Sequence, residues 1–147
     1  MVAPLIPERV VELVEAVRVS AVHGERALEW KRALDLSRRP RRAQVARQLI
    51  GFANRMPEDA ARWFGGQACL LIGIEPGKVS GMPNADPAVI DERLRPYTGG
   101  ALRFSAQHVL AADGVVLALV VDRPRQRDRP YRLVTKRVVV ECCKASH

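Results

Sequence analysis

Between Gly65 and Gly81 the chain reads GGQACLLIGIEPGKVSG, and this stretch restricts the available folds more than any other. From Gln67 to Ile74 it is almost uncharged, with Leu70, Leu71, Ile72 and Ile74 crowded together. An apolar run of that length between glycines reads as a strand buried on both faces, with the rest of the chain organised around it. Gly65 and Gly66 admit the backbone through a tight turn where a Cβ would be unwelcome. Gly73, inside the predicted strand, marks a bulge or the close passage of another backbone. Glu75-Pro76-Gly77-Lys78 then turns the chain: proline presets φ and glycine takes the positive φ that a type II turn demands. Glu75 thereby stands at the exit of a buried central strand, a place that suits a functional carboxylate and a plain turn residue alike.

A chain of 147 residues, 48% hydrophobic, is expected to form one domain with a sizeable core. No apolar run reaches the length of a membrane span, and the N-terminus lacks a charged start leading into an apolar segment. Cys69, Cys142 and Cys143 show no CxxC spacing, and no histidine spacing suggests a zinc site. A reduced, cytoplasmic protein with no membrane partner is the simplest expectation. The net charge is +8, and 20 of the 24 basic residues are arginine. Such an excess is the electrostatic footprint of a nucleic-acid partner. A GC-rich coding sequence produces an Arg- and Ala-heavy chain too, so the positions of the arginines matter more than their number.

Taken in order, Pro7 to Arg18 reads as a helix, with Pro7 in its first turn and Glu8 and Arg18 placed to suit its dipole. Val10, Val11, Leu13, Val14 and Val17 form its apolar stripe. Alternation of Leu28 and Trp30 against Glu29 and Lys31 predicts a strand over Leu28 to Leu34. After the polar break SRRPRR (Ser37 to Arg42), a helix runs from Pro40 or Arg41 to Ala53. Arginines at its N-terminus oppose the macrodipole and hint at a nearby anion. Asn54 to Phe64 reads as a loop with one helical turn, Trp63 and Phe64 folding back as a cover. Asp86-Pro87 starts another helix, ending by Arg95 because Pro96 restricts the residue before it. Leu102 to Leu110 and Val115 to Val121 flank Asp113-Gly114, a hairpin signal. The basic loop DRPRQRDRPYR (Asp122 to Arg132) precedes a final strand, Leu133 to Val140, and a polar tail. The fold class expected is α+β, a mainly antiparallel mixed sheet with helices packed against it. Its parts are an N-terminal helix and link over 1–24, a core domain over 25–140 and a tail over 141–147.

GIEPGKVS superficially resembles a phosphate-binding P-loop, but Gly73 and Gly77 are one residue too close and Val79 follows Lys78 where Ser or Thr is needed. A Walker-type nucleotide site is excluded. Glu25, Glu29 and Glu75 are acids that, if they met across neighbouring strands, would suit a divalent metal beside a phosphodiester. Equally, Glu29 and Lys31 form a same-face strand pair, and Glu75 serves a turn. His23, His108 and His147 are scattered and fit no catalytic arrangement.

Several blocks in order carry a family resemblance. They are LEWK (Leu28 to Lys31), a helix ending ARQLIGFAN (Ala46 to Asn54), GGQACLLIGIE (Gly65 to Glu75) and GKVSG (Gly77 to Gly81). Together they resemble the Schlafen-type AlbA-like domain, whose pattern runs L-E-F-K, a helix ending A-F-A-N, G-G-x-L-x-I-G-V-D/E and a G-x-V-x-G turn. Arg95-Pro96, the D-G hairpin and Arg129-Pro130-Tyr131 extend the similarity over about Glu25 to Lys136. The resemblance implies an α+β nucleic-acid-binding domain of the kind found in bacteria. Some relatives are endoribonucleases that use three acidic residues and a divalent metal. Carried over, Glu29 matches the L-E-F-K acid and Glu75 the acid after the I-G-V strand. The family's first acid precedes the second by five residues; Gly24 holds that position here, and Glu25 is the neighbouring acid. The chain also inserts MPEDAARWF before Gly65 and ends in VVVECCKASH rather than an R-x-G-S-like segment.

The expected function is binding to DNA or RNA, with Arg38, Arg39, Arg41, Arg42, Arg47, Lys31 and the loop residues Arg125, Arg127 and Arg129 on the phosphate backbone. Two other classes fit. One is a metal-dependent endoribonuclease with Glu29 and Glu75 as Mg²⁺ or Mn²⁺ ligands and Glu25 as a third acid. The other is a protein-interaction module whose arginines are merely solvated.

Overall fold

The computed structural model describes residues 7–19, 28–54, 67–82, 86–100, 102–111, 114–122 and 130. In chain order it runs α1 (Pro7–Arg18), β1 (Leu28–Lys31), α2 (Arg39–Ala53), β2 (Ala68–Ile72), β3 (Ile74–Glu75), β4 (Lys78–Val79), α3 (Pro87–Thr98), β5 (Phe104–Ala111) and β6 (Gly114–Val121). The main sheet has the order β1-β2-β6-β5. β1 lies parallel to β2, while β2–β6 and β6–β5 are antiparallel. The class is α+β with a mixed, mainly antiparallel sheet, as the sequence predicts.

Every residue of β2 is buried, and so is every residue of β6 from Val116 onward. Both faces of these two strands must therefore be covered. Side chains alternate along a strand, so Phe104 and Gln107 of β5 point to opposite faces. Gln107 Nε2 donates to the Pro7 carbonyl oxygen at 3.2 Å, which puts α1 on one face. The Arg95 guanidinium lies 4.4 Å from the Phe104 ring centroid, which puts α3 on the other, with α2 packed beside it. Val10, Val14 and Val17 of α1 are buried, whereas Val11 of the expected stripe is 46% exposed. It sits about 100° around the helix from Val10 and about 120° from Val17, at the edge of the buried stripe.

The central strand is shorter than the apolar run suggests. It ends at Ile72, because Gly73 takes φ 98° and redirects the chain into the β3–β4 ribbon. Pro76-Gly77 turns that ribbon, with Gly77 at φ 81° as a type II turn requires. The return leg passes directly over Gly73, whose carbonyl accepts from both Ser80 N (2.9 Å) and Gly81 N (2.8 Å). Met82 N then donates to Val115 O at 2.7 Å, docking the ribbon on β6.

Other boundaries also move. β1 stops at Lys31, three residues before Leu34. α3 continues through Pro96 to Thr98 rather than ending at Arg95. A proline in the last turn removes a single helical bond, and burial of Tyr97 and Thr98 outweighs that loss. In the hairpin, Gly114 pairs with Ala111 and so opens β6 instead of occupying the turn. A Cβ there would come within 3.2 Å of Gly81 Cα, so a second backbone approach explains this glycine. Glu25, Gly65 and Gly66, Trp63 and Phe64, the arginines of the 123–132 loop, the final strand and the tail lie outside the described residues. Among the described residues, no helix is long and apolar enough to cross a membrane.

The start of α3 follows the sequence: the Asp86 side chain accepts from Ala88 N at 2.7 Å, with Pro87 in the first turn. Asp86→Ala is expected to remove about 1 kcal/mol of stability, read as a lower midpoint in urea denaturation.

Candidate nucleic-acid interface

α2 reads RPRRAQVARQLIGFA and contains no acidic residue. Val45, Ala46, Leu49, Ile50, Phe52 and Ala53 face the core, and this apolar face makes the helix. Arg39, Arg41 and Arg47 are exposed on the remaining surface. The N-terminus is capped by no side chain: Arg38 is extended there and makes no capping hydrogen bond. Positive charge at this end opposes the helix dipole and is not neutralised within α2.

The arginines grouped together by the sequence divide into separate roles. Arg42 is half-buried and turned onto the preceding loop, donating to Leu36 O (3.1 Å) and Ser37 O (2.8 Å), with its guanidinium 5.9 Å from the Tyr97 ring centroid. It fastens loop, α2 and α3 together. Arg38 lies near Asp35, whose carboxyl is held below the usual carboxylate range. The Ser37 hydroxyl is the main cause, followed by the Ser37 N–H and then the charges of Arg38 and Arg93. Arg41 donates to Gln44 Oε1 at 3.1 Å. Among the described residues, no carboxylate lies within salt-bridge distance of Lys31, Arg39, Arg41, Arg42 or Arg47.

Lys31 reaches this face from the sheet. It pairs with Ile72 at the end of β1, and alternation from the buried Leu28 turns it toward α2. Lys31, Gln44, Arg47, Gln48 and Gly51 line an open depression of about 420 Å³. Gln44, Arg47, Gln48 and Gly51 follow i, i+3, i+4, i+7 spacing and so form one stripe along α2. A Cβ built on Gly51 meets nothing within 4 Å. Sequence reasoning named Lys31 and Arg47 but passed over Gln44, Gln48 and Gly51. The available signal was a glycine on the polar side of an otherwise well-formed amphipathic helix.

Glu29 lies two residues before Lys31 on the same face of β1 but does not line the depression. Glu75 sits in the ribbon, where its Oε2 accepts from Arg32 Nε at 3.1 Å. Ala33 N donates to Ser80 Oγ at 3.2 Å beside it, so this ion pair helps to hold the ribbon against the segment after β1. No three of the His, Cys, Asp and Glu side chains among the described residues group closely enough to hold a metal ion. Glu25 lies outside those residues. Lys78 is exposed and pairs across the ribbon with Glu75, a geometry unlike a phosphate-binding loop. Cys69 is fully buried and burial pushes its thiol up to about 12, so it is an inert core group.

Arg42→Ala is expected to destabilise the fold by about 2 kcal/mol, because two carbonyls lose a charged donor. Arg39→Ala and Arg41→Ala should stay within about 0.5 kcal/mol of the parent. Thermal denaturation of the three variants separates fastening from exposed arginines. Comparison of this chain with protein-family models, with characterised proteins and with solved structures found no match.

Proposed function

We propose that this chain is a nucleic-acid-binding domain of Schlafen AlbA-like type that grips the phosphate backbone through α2 and the end of β1. The supporting observation is a helix with four arginines and no acid, three of them exposed, joined by Lys31 from the sheet. Exposed cations without carboxylate partners are ready to exchange their counterions for phosphates. Guanidinium groups take a phosphate with two parallel hydrogen bonds, which suits an arginine-borne surface. By sequence, Arg125, Arg127 and Arg129 add further charge to the same partner. Pairing of this kind needs no metal, so binding should persist in chelator. A cytoplasmic setting fits the free, buried Cys69.

The test is the salt dependence of binding. Fluorescence anisotropy with labelled DNA and RNA of unrelated sequences should give similar affinities that fall steeply between about 50 and 200 mM salt. Affinity that does not change with salt would assign the arginines to solvent and favour a protein-interaction module. Strong preference for one sequence would also count against backbone recognition.

A further inference from the structure

We propose that the depression between α2 and β1 seats one unpaired nucleotide of a bound strand. The inference rests on the nucleic-acid reading and assigns it a site: Lys31, Gln44, Arg47, Gln48 and Gly51. At about 420 Å³ the depression is larger than a lone phosphate needs. It lies within the range of small-molecule sites, about 300–1,000 Å³.

Its lining matches the parts of a nucleotide. Lys31 and Arg47 offer two positive charges with no carboxylate partner among the described residues, and a phosphate takes both. Gln44 and Gln48, one turn apart, carry amides that each hold a donor and an acceptor, the combination that reads a base edge. Arg41 donates to Gln44 Oε1, which leaves the amide nitrogen of Gln44 as the donor on offer. Gly51 forms bare floor. No neighbour lies within 4 Å of an added Cβ, so packing does not require a glycine here. A glycine inside a helix is destabilising relative to alanine. The absent side chain leaves exposed helix backbone on which a flat ring can lie. A base held in a duplex has its edge occupied by its complement and cannot enter, whereas an unpaired base can.

The experiment compares wild type and Gly51→Met on a labelled DNA strand of roughly 20 nucleotides and on the same strand annealed to its complement. Methionine is a good helix former and meets open space at this position, so the variant should melt at or above the wild-type temperature. Its side chain covers the bare backbone that Gly51 leaves at the floor of the depression. Wild type should bind the single strand more tightly than the duplex. Gly51→Met should lose roughly tenfold or more in single-strand affinity, with duplex affinity and its salt dependence unchanged because Lys31 and Arg47 remain. Gln44→Ala with Gln48→Ala should reproduce the loss without adding bulk, and this pair carries the test if Gly51→Met fails to fold. Unchanged single-strand binding in both variants would overturn the nucleotide seat and leave the backbone-binding function standing. Wild-type binding to neither probe would remove the function itself, and equal binding to both would remove the preference for unpaired strands.

Discussion

Gly73→Ala is expected to destabilise the protein by roughly 3–5 kcal/mol. Two independent terms contribute. The residue holds φ 98°, a conformation that costs a side-chain-bearing residue about 1–3 kcal/mol. The new Cβ would also lie 2.9 Å from the Gly81 carbonyl carbon and 3.0 Å from its oxygen. Those are backbone atoms, and they are tied in place because Gly73 O accepts from Ser80 N and Gly81 N. Relief requires lifting the returning chain, which breaks those bonds. The melting temperature should fall by on the order of 10 °C. Gly51→Ala, made in open space, should instead gain about 0.5–1 kcal/mol. A Gly73→Ala variant within about 1 kcal/mol of wild type would show that the crossing is looser than its hydrogen bonds imply.

Replacing Lys31, Arg39, Arg41 and Arg47 together by alanine is expected to weaken nucleic-acid binding at low salt by at least about 100-fold. The reasoning is electrostatic. Each cation that neutralises a phosphate releases counterions, so log K falls with log salt by about 0.9 per contact on duplex DNA and about 0.7 on a single strand. Removing four contacts should therefore flatten that slope by about 3 to 4, equally for unrelated sequences. Arg39, Arg41 and Arg47 are exposed and Lys31 lines the open depression, so the fold should survive their loss. Circular dichroism checks that survival, and anisotropy titrations across salt give the slope. A slope unchanged in the quadruple variant would place the binding surface elsewhere. Arg42 is left out deliberately, since its loss would confuse unfolding with loss of charge.

The elements legible in the sequence are those decided by local pattern. β2 showed itself because a strand covered on both faces leaves no room for polar alternation. Asp86-Pro87 showed itself because capping is chemistry among neighbours. The misplaced boundaries are those where a distant contact overrules a local rule. Pro96 suggests an end to α3, yet the Arg95 carbonyl accepts from Gly99 N while its guanidinium reaches Leu102 O, so the last turn is held from outside. Arg41 and Arg42 are adjacent in sequence, and only the position of Leu36 and Tyr97 reveals that one faces solvent and the other a loop. The depression was least legible, because Lys31 comes from the sheet and the remaining lining residues from a helix that begins eight residues later. No periodicity reports that meeting.

The ribbon β3–β4 has a consequence for how the chain reaches its final form. Gly77 N donates to Val17 O at 3.1 Å, Gly73 N to Lys31 O at 2.8 Å, and Met82 N to Val115 O at 2.7 Å. Each bond joins the ribbon to a different part of the chain: the end of α1, the end of β1 and the start of β6. A pair of two-residue strands has little stability of its own. Closing such distant loops carries an entropic penalty that only the assembled neighbours can offset. The ribbon is therefore a keystone, set after the arch around it is standing, and the glycine crossing at its foot gauges whether assembly has been completed.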